Sequence, residues 1–274
     1  MKRKVRKILV ITVLLIAVVA VATAVIGSGS NSLKRINPEN LITVSSSDIE
    51  SLENCTVDHS LILVNTEHML EYDLEEELIR YEDSDRFINR ALEDAFIELR
   101  DVCTEEFGTR LKIMSAYRSK ESQLEIYNSD TEGVAAKPGE SEHETGLGLD
   151  VYVNYHAGEG FLDSDAGKYV NAECHNYGFI IRYPAGKKSI TGFSFEPWHI
   201  RYVGLPHSLI IAEQSITLEE YIESLEEGEF YAYGNYVISK QNTESDGLLI
   251  PQKYKNLNIS PDNCGNFIIT AEIY

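Results

Sequence analysis

No two of the four cysteines (Cys55, Cys103, Cys174, Cys264) form a C-x-x-C pair, which excludes a thiolate metal site of the zinc-finger kind. Three complete disulfide pairings stay open to them, and nothing in the spacing selects one. Cys103 and Cys174 fall on apolar faces of expected helices, where a buried free thiol is equally at home. Basic residues are also scarce. The 24 Lys and Arg stand against 44 Asp and Glu, a net charge of −20. Five of the 24 precede the first apolar run, leaving 19 against 44, net −25, for the rest of the chain. Such a surface repels phosphate backbones and excludes nucleic acid as a partner. The acidic residues gather in 67–106 and 219–229 and read as solvated helix faces. Internal repeats are missing, so a solenoid is excluded as well.

What is present fits a folded protein. The 274 residues are 43% hydrophobic and 25% charged, enough for one substantial domain with additions or two small ones. Lys2, Arg3, Lys4, Arg6 and Lys7 precede an uncharged run, Ile8–Ile26, interrupted only by Thr12 and Thr23. At 1.5 Å per residue such a run nearly spans a hydrocarbon core of about 30 Å. It exceeds the usual signal-peptide core, so residues 1–27 are expected to be an uncleaved membrane anchor. Ala20-Val21-Ala22 and Ala22-Thr23-Ala24 keep a cleaved signal peptide as the alternative. The basic cluster places the N-terminus in the cytoplasm and everything after Gly27 outside, a single-pass arrangement in a cell membrane.

Gly27-Ser28-Gly29-Ser30-Asn31-Ser32 suits a tether, and 28–57 is expected to be linker. Leu61-Ile62-Leu63-Val64 suits a short buried strand. Between Asp83 and Phe107, apolar residues recur at three- and four-residue spacing, predicting a helix that Gly108 stops. Leu111–Ser115 reads as a strand, Lys120–Tyr127 as a helix, and Gly146–Val153 as a strand with Asp150 near its centre. A helix over Gly167–Tyr177, a strand over Phe179–Tyr183 and a strand region over Phe193–Val203, broken at Pro197, follow. Pro206–Gln214 is a short helix, and the capping box Thr217-Leu218-Glu219-Glu220 opens another that ends at Gly228. Beyond it, 230–239, 248–250 and 267–274 are β-rich, so 229–274 is expected to be a small β extension to a central domain of 58–228.

Chemistry concentrates in two stretches: Ser141-Glu142-His143-Glu144-Thr145-Gly146-Leu147-Gly148-Leu149-Asp150 and Glu196-Pro197-Trp198-His199. Two imidazoles and a carboxylate (His143, Asp150, His199) are the three-ligand set of an open catalytic zinc site. His143 and Asp150 are seven residues apart, too far to share a helical turn, and the two glycines suit a loop that returns Asp150 to His143. Pro197 biases Glu196 out of the helical region, so Glu196 and His199 belong to an extended segment with a local bend. A glutamate beside the metal can move the proton of an attacking water. On spacing alone Glu196, Glu144 and Glu142 all qualify. Asp150 as a turn residue and Trp198 as a core aromatic are the bland readings. The isolated His59, His68, His156 and His175 read as structural, and so does His207 with less separation from the site.

The sequence resembles the VanY-like D-alanyl-D-alanine carboxypeptidases, zinc peptidases of bacterial cell-wall metabolism, over about Leu61 to Leu225. The resemblance is carried by Leu63-Val64-Asn65, by Ser115-Ala116-Tyr117-Arg118-Ser119 with Gln123, and by Lys137-Pro138-Gly139-Glu140-Ser141-Glu142-His143. It continues through Thr145-Gly146-Leu147 to Asp150, Tyr177-Gly178-Phe179-Ile180-Ile181-Arg182-Tyr183-Pro184, Glu196-Pro197-Trp198-His199-Ile200-Arg201-Tyr202-Val203-Gly204 and Leu218-Glu219-Glu220-Tyr221. Three positions depart from the pattern: Glu144 where an amide or other polar residue is common, Gly148 where alanine is usual, and Tyr169 where tryptophan is frequent.

The resemblance implies an α+β fold whose central antiparallel sheet carries the zinc ligands, flanked by helices. It implies Zn2+ on His143, Asp150 and His199, with Glu196 as catalytic base. Arg118, Gln123 and Ser141 are then expected to hold the substrate's terminal peptide and carboxylate, Arg118 also aiding catalysis as a nearby cation. The implied reaction removes the terminal D-alanine from peptidoglycan stem peptides or their precursors. That depletes the target of glycopeptide antibiotics, so a resistance role is implied too. The alternatives are an L,D-carboxypeptidase acting on tetrapeptide stems, and a non-catalytic wall-binding module that keeps zinc for stability.

Overall fold

In the computed structural model, residues 32–274 apart from Asp83 and Glu132 are described. The expected anchor, Ile8–Ile26, lies outside them. Among the described residues no helix is long and apolar enough to cross a membrane. The first half contains strands β1 (Lys34–Ile36), β2 (Leu41–Val44), β3 (Cys55–Val57), β4 (Leu78–Arg80), β5 (Phe87–Asn89), β6 (Lys112–Ser115) and β7 (Gly148–Tyr152), with helices α1 (Glu93–Phe107) and α2 (Lys120–Ser129). Helix α3 (Asp165–Glu173), strand β8 (Phe179–Ile181), helix α4 (Lys188–Thr191), strand β9 (His199–Tyr202) and helices α5 (His207–Gln214) and α6 (Leu218–Ser224) follow. The chain closes with β10 (Phe230–Tyr233), β11 (Tyr236–Asn242), β12 (Leu248–Pro251), β13 (Asn256–Pro261) and β14 (Asn266–Glu272). The fold is mixed α+β.

A four-stranded antiparallel sheet, in the order β6-β7-β9-β8, positions the site. Successive side chains of a strand point to opposite faces. Leu149 and Val151 of β7 and Ile200 of β9 enter one hydrophobic cluster with Phe96, Leu99 and Cys103 of α1 and Phe179 of β8. Asp150, His199 and Arg201 alternate with them and belong to the other face. The three α1 residues sit at three- and four-residue spacing, and Gly108 ends the helix in the left-handed conformation, φ 64°. Phe96 is fully buried, so Phe96→Ala removes roughly 3–5 kcal/mol of stability.

Several expected elements are shifted. The helix predicted from Asp83 begins at Glu93, because Phe87–Asn89 pairs with Leu78–Arg80 and the Asn89 side chain accepts from the Ala91 N–H to start a 3₁₀ turn. Leu61–Val64 is buried but is not a strand. The Ser60 and Ile62 carbonyls both accept from Arg201 Nη2 at 2.9 Å, so a side chain satisfies this segment where a ladder was expected. The capping box of Thr217 and Glu220 is present, although its helix stops at Ser224.

The linker expected over 28–57 is corrected from Lys34 onward. β1 pairs with β10, β2 with β12, and β3 runs parallel to β13. The sheet order β1-β10-β11-β14-β13-β3 therefore interleaves this segment with the C-terminal strands. Nor is the C-terminal part an appendage. Tyr231, Tyr233, Ile238 and Ile268 share a hydrophobic cluster with Leu61, Ile210, Leu218 and Tyr221. A groove of about 680 Å3 runs between these strands and Asn89–Ala91. Its amides and carboxylates are largely paired with one another: Asn258 with Asp58, Asn256 with Glu272, and Asn89 with Glu77. All four cysteines are free, with Cys103 and Cys174 buried.

His207 confirms its structural reading. Nδ1 lies 2.6 Å from the Tyr221 hydroxyl and Nε2 2.9 Å from Thr270 Oγ1, tying α5 to α6 and β14. Burial pushes its pKa down to about 3, so the folded protein keeps the neutral ring while the unfolded chain protonates near the ordinary value of about 6.5. Its contribution is complete above that value and is lost as pH falls from about 6.5 toward about 3, at up to ~1.4 kcal/mol per pH unit. Urea midpoints measured across this range are expected to fall more steeply for wild type than for His207→Gln. Parallel curves would contradict the assignment.

Candidate metal centre

Register brings the site together. Asp150 of β7 stands opposite His199 of β9 on one side and Ser115 of β6 on the other, beside an irregularity between Ile113 and Ser115. His143 comes from the 3₁₀ turn Glu142–Thr145. That turn is fastened to the segment after β6: His143 Nδ1 lies 2.8 Å from the Ala116 carbonyl, and the Arg118 N–H donates to the His143 carbonyl at 3.1 Å. Gly146 closes the turn at φ 69°. A Cβ there would lie 2.6 Å from Leu78 Cδ2 and 2.9 Å from the Asn89 nitrogen, so both conformation and space require glycine. Glu196 arrives through a tight turn, with the His199 N–H donating to the Glu196 carbonyl at 3.1 Å. The bend expected at Pro197 is this turn.

The ligand atoms of His143, Asp150 and His199 lie within 4.8 Å of one another, and all three residues are buried. His143 Nε2 is 3.3 Å from Asp150 Oδ2, and His199 Nδ1 is 3.0 Å from Asp150 Oδ1. Donors about 2.0–2.2 Å from a tetrahedral ion stand roughly 3.3–3.6 Å apart, so the two contacts to Asp150 are on the scale of a zinc-sized ion, and the donor types suit one. With Nδ1 of His143 committed to the Ala116 carbonyl, its Nε2 is the available ligand atom. On His199 the atom facing the others is Nδ1. Its Nε2 is buried without a hydrogen-bond partner.

Charge follows from these contacts. Burial opposes ionisation of Asp150, but hydrogen bonds from His143 and His199 outweigh it and hold the carboxyl well below its ordinary range. The two imidazoles diverge. Burial lowers the pKa of His143 despite Asp150. Burial opposes the charge on His199 too, yet Asp150 and Glu142 together raise it to about 9.

The three glutamates that spacing left open now separate. Glu142 is fully buried and turned away, accepting at Oε1 from Arg182 Nε at 2.6 Å and Arg201 Nη1 at 2.7 Å. Glu144 is buried behind the turn, where Oε1 accepts from the Gly139 N–H at 2.7 Å. Glu196 alone lines the cavity in front of the triad, with Oε2 3.9 Å from His199 Nδ1. Burial raises its pKa, with Arg118 and His199 offsetting part of the rise.

That cavity, about 220 Å3, is also lined by Arg118, Gln123, Ser141, Tyr183 and Trp198. Arg118 donates to Ser115 Oγ (3.0 Å), Gln123 Oε1 (3.2 Å) and Asp150 Oδ2 (3.3 Å). Three of its five N–H groups are thereby engaged and two remain. Gln123 uses its other end on the Ala136 carbonyl at 2.7 Å, so it orients Arg118 while facing the cavity. The Ser141 side chain lines the cavity. Sequence reasoning missed Arg182, Arg201 and Glu219 as a buried charge network. Arg182 also donates to Glu219 at 2.6 and 2.9 Å, and both arginines lie fully inside the protein. Both occur in the Tyr177–Pro184 and Glu196–Gly204 motifs, which was the one available signal.

Comparison with known proteins agrees with this geometry. Residues 85–205 match the family model described as VanY, D-alanyl-D-alanine carboxypeptidase. A D-alanyl-D-alanine carboxypeptidase of Enterococcus faecium is 34% identical over 198 residues, covering 69% of this chain and 63% of that protein's length. The chain thus spans just under two thirds of that relative. A crystal structure of a mutant of the vancomycin-resistance D,D-pentapeptidase VanY, in complex with Zn(II), is 32% identical with a TM-score of 0.52, covering 60% of this chain and 98% of that one. The LdcB LD-carboxypeptidase, whose structure addresses peptidoglycan recognition, is 31% identical with a TM-score of 0.56, covering 67% and 98%. With such identity across nearly the whole of solved relatives, and the metal triad assembled, this chain belongs to the VanY D-alanyl-D-alanine carboxypeptidase family.

Proposed function

We propose that this chain is a zinc-dependent D-alanyl-D-alanine carboxypeptidase that removes the terminal D-alanine from peptidoglycan stem peptides or their precursors. The observation that carries the reading is the company Arg118 keeps. A half-buried guanidinium with two unused N–H groups stands in the same small cavity as the metal triad and Glu196. Two such donors suit a terminal carboxylate, which an endopeptidase site has no reason to receive. When bound, zinc supplies Lewis-acid polarisation of the scissile carbonyl and acidifies water.

The chain's own groups do the rest. His143 presents Nε2, His199 Nδ1 and Asp150 its carboxylate to the ion. Arg118, steadied by Ser115 and Gln123, fixes the substrate's C-terminus, and Ser141 offers a hydroxyl to the peptide beside it. Glu196 takes the proton of the attacking water and returns it to the leaving amine, and its raised basicity suits both transfers.

The basic cluster and the Ile8–Ile26 run support a single-pass anchor that holds residues after Gly27 outside the bacterial cell membrane, beside the wall substrate. In that place the reaction would deplete the target of glycopeptide antibiotics. The likeness to LdcB supports a second reading, an L,D-carboxypeptidase acting on tetrapeptides. A non-catalytic wall-binding module needs neither a glutamate facing the cavity nor the Arg118 donors.

Mass spectrometry of the full chain on pentapeptide and tetrapeptide stems tests the proposal. Release of D-alanine from the pentapeptide, abolished by a chelator and restored by zinc, is the expected result. Release from the tetrapeptide alone establishes the L,D reading. Binding without turnover establishes the wall-binding module.

A further inference from the structure

The two ends of the His199 ring meet different surroundings. Nδ1 faces Asp150 within the metal triad. Nε2 lies at the far end, buried and without a partner, and Glu142 Oε2 stands 3.9 Å from it. Glu142 Oε2 is itself buried and without a partner. Its sister oxygen is crowded, accepting from both Arg182 and Arg201.

The carboxylate cannot turn to even this out. Arg182 is held at its other end by Glu219, and Arg201 by the Ser60, Ile62 and Tyr202 carbonyls. One oxygen is thus saturated by two fixed cations while the other is kept open toward an imidazole. Gly148 keeps this space clear: a Cβ there would sit 3.1 Å from His199 Nε2 and 3.4 Å from Glu142 Cβ.

We propose that Glu142 is the positioning residue for His199, accepting the proton that the ring must carry on Nε2 once Nδ1 faces a metal. The 3.0 Å contact between His199 Nδ1 and Asp150 Oδ1 is a hydrogen bond, so without metal Nδ1 carries a proton. A ligating Nδ1 offers its lone pair, and the neutral ring then holds its proton on Nε2. Glu142 Oε2 stands there as an acceptor at 3.9 Å, about 1 Å beyond normal hydrogen-bond length. Carboxylate partners of this kind fix ring orientation, and their loss typically weakens metal binding about 10- to 100-fold. Three fully buried charges are hard to justify by stability alone, since such groups are often replaceable by apolar residues. A fixed acceptor behind a metal ligand gives them a purpose. The inference rests on the metal-centre reading and is independent of the peptide cleaved.

The test is imidazole NMR on the full chain carrying isotope-labelled histidine, loaded with zinc or cadmium, together with metal affinity by chelator competition. In wild type the His199 signal is expected to show metal on Nδ1 and an exchange-protected proton on Nε2. In Glu142→Gln that proton's resonance moves and zinc affinity falls about 10- to 100-fold. Unchanged affinity and resonance in the variant would overturn the proposal. Should Glu142→Gln fail to fold, wild type decides alone, because an Nε2 proton in free exchange with solvent also overturns it. No outcome depends on turnover, so failure to cleave a pentapeptide leaves the inference standing.

Discussion

Glu196→Gln is expected to lower kcat for D-alanine release by roughly 10²- to 10⁴-fold while zinc content and KM stay close to wild type. The substitution keeps size and removes only the ability to carry a proton. Because Glu196 Oε2 is 3.9 Å from His199 Nδ1, the carboxylate is near the triad without being part of it. Glu144→Gln is the matched control. Its carboxylate receives the Gly139 N–H behind the turn and does not line the triad's cavity, so it is expected to leave kcat within a few fold. Burial raises the pKa of Glu196, and the base works only when ionised. The acid limb of kcat/KM is therefore expected to follow Glu196, with activity present at higher pH and lost as pH falls through its pKa. A pH profile unaltered in position by the substitution, or kcat near wild type, would remove Glu196 from the mechanism.

The second large effect concerns stability. Arg201→Met is expected to cost about 3–5 kcal/mol, the usual penalty for breaking a buried ion pair by removing one partner. Glu142 would keep Arg182, but the Ser60, Ile62 and Tyr202 carbonyls would together lose their guanidinium donors. That loss reaches the Leu61–Val64 segment, which relies on Arg201 where a strand would rely on a neighbour. Urea unfolding of wild type and variant measures the difference. A loss below about 1 kcal/mol would mean that solvent or other groups satisfy those carbonyls.

Much of the site was legible before its geometry was known, for local reasons. His143, Gly146 and Asp150 fall within one turn and one strand, so their spacing already described a returning loop. α1 was legible from Ala95, Leu99, Val102 and Cys103 at helical spacing. What was not legible depends on partners far away in the chain. Glu142 looked as good a base as Glu196 until Arg182 and Arg201, 40 and 59 residues onward, were seen to occupy it. β1 and β3, three residues each with mostly exposed side chains, carry no alternation long enough to detect. Phe87 continued the helical pattern of α1 by coincidence, and only pairing with β4 moved it into a strand.

The interleaved terminal sheet bears on how this protein is made. Lys34 pairs with Ala232 and Cys55 with Leu257, so the earliest described strands wait for the last ones to be synthesised. Non-local pairings of this kind carry a loop-closure cost before any contact rewards it, and they slow folding. Until the final strands emerge, β1–β3 are unpaired edges exposed to aggregation. Shortening the chain at Gly228 would leave β1–β3 without the strands they pair with.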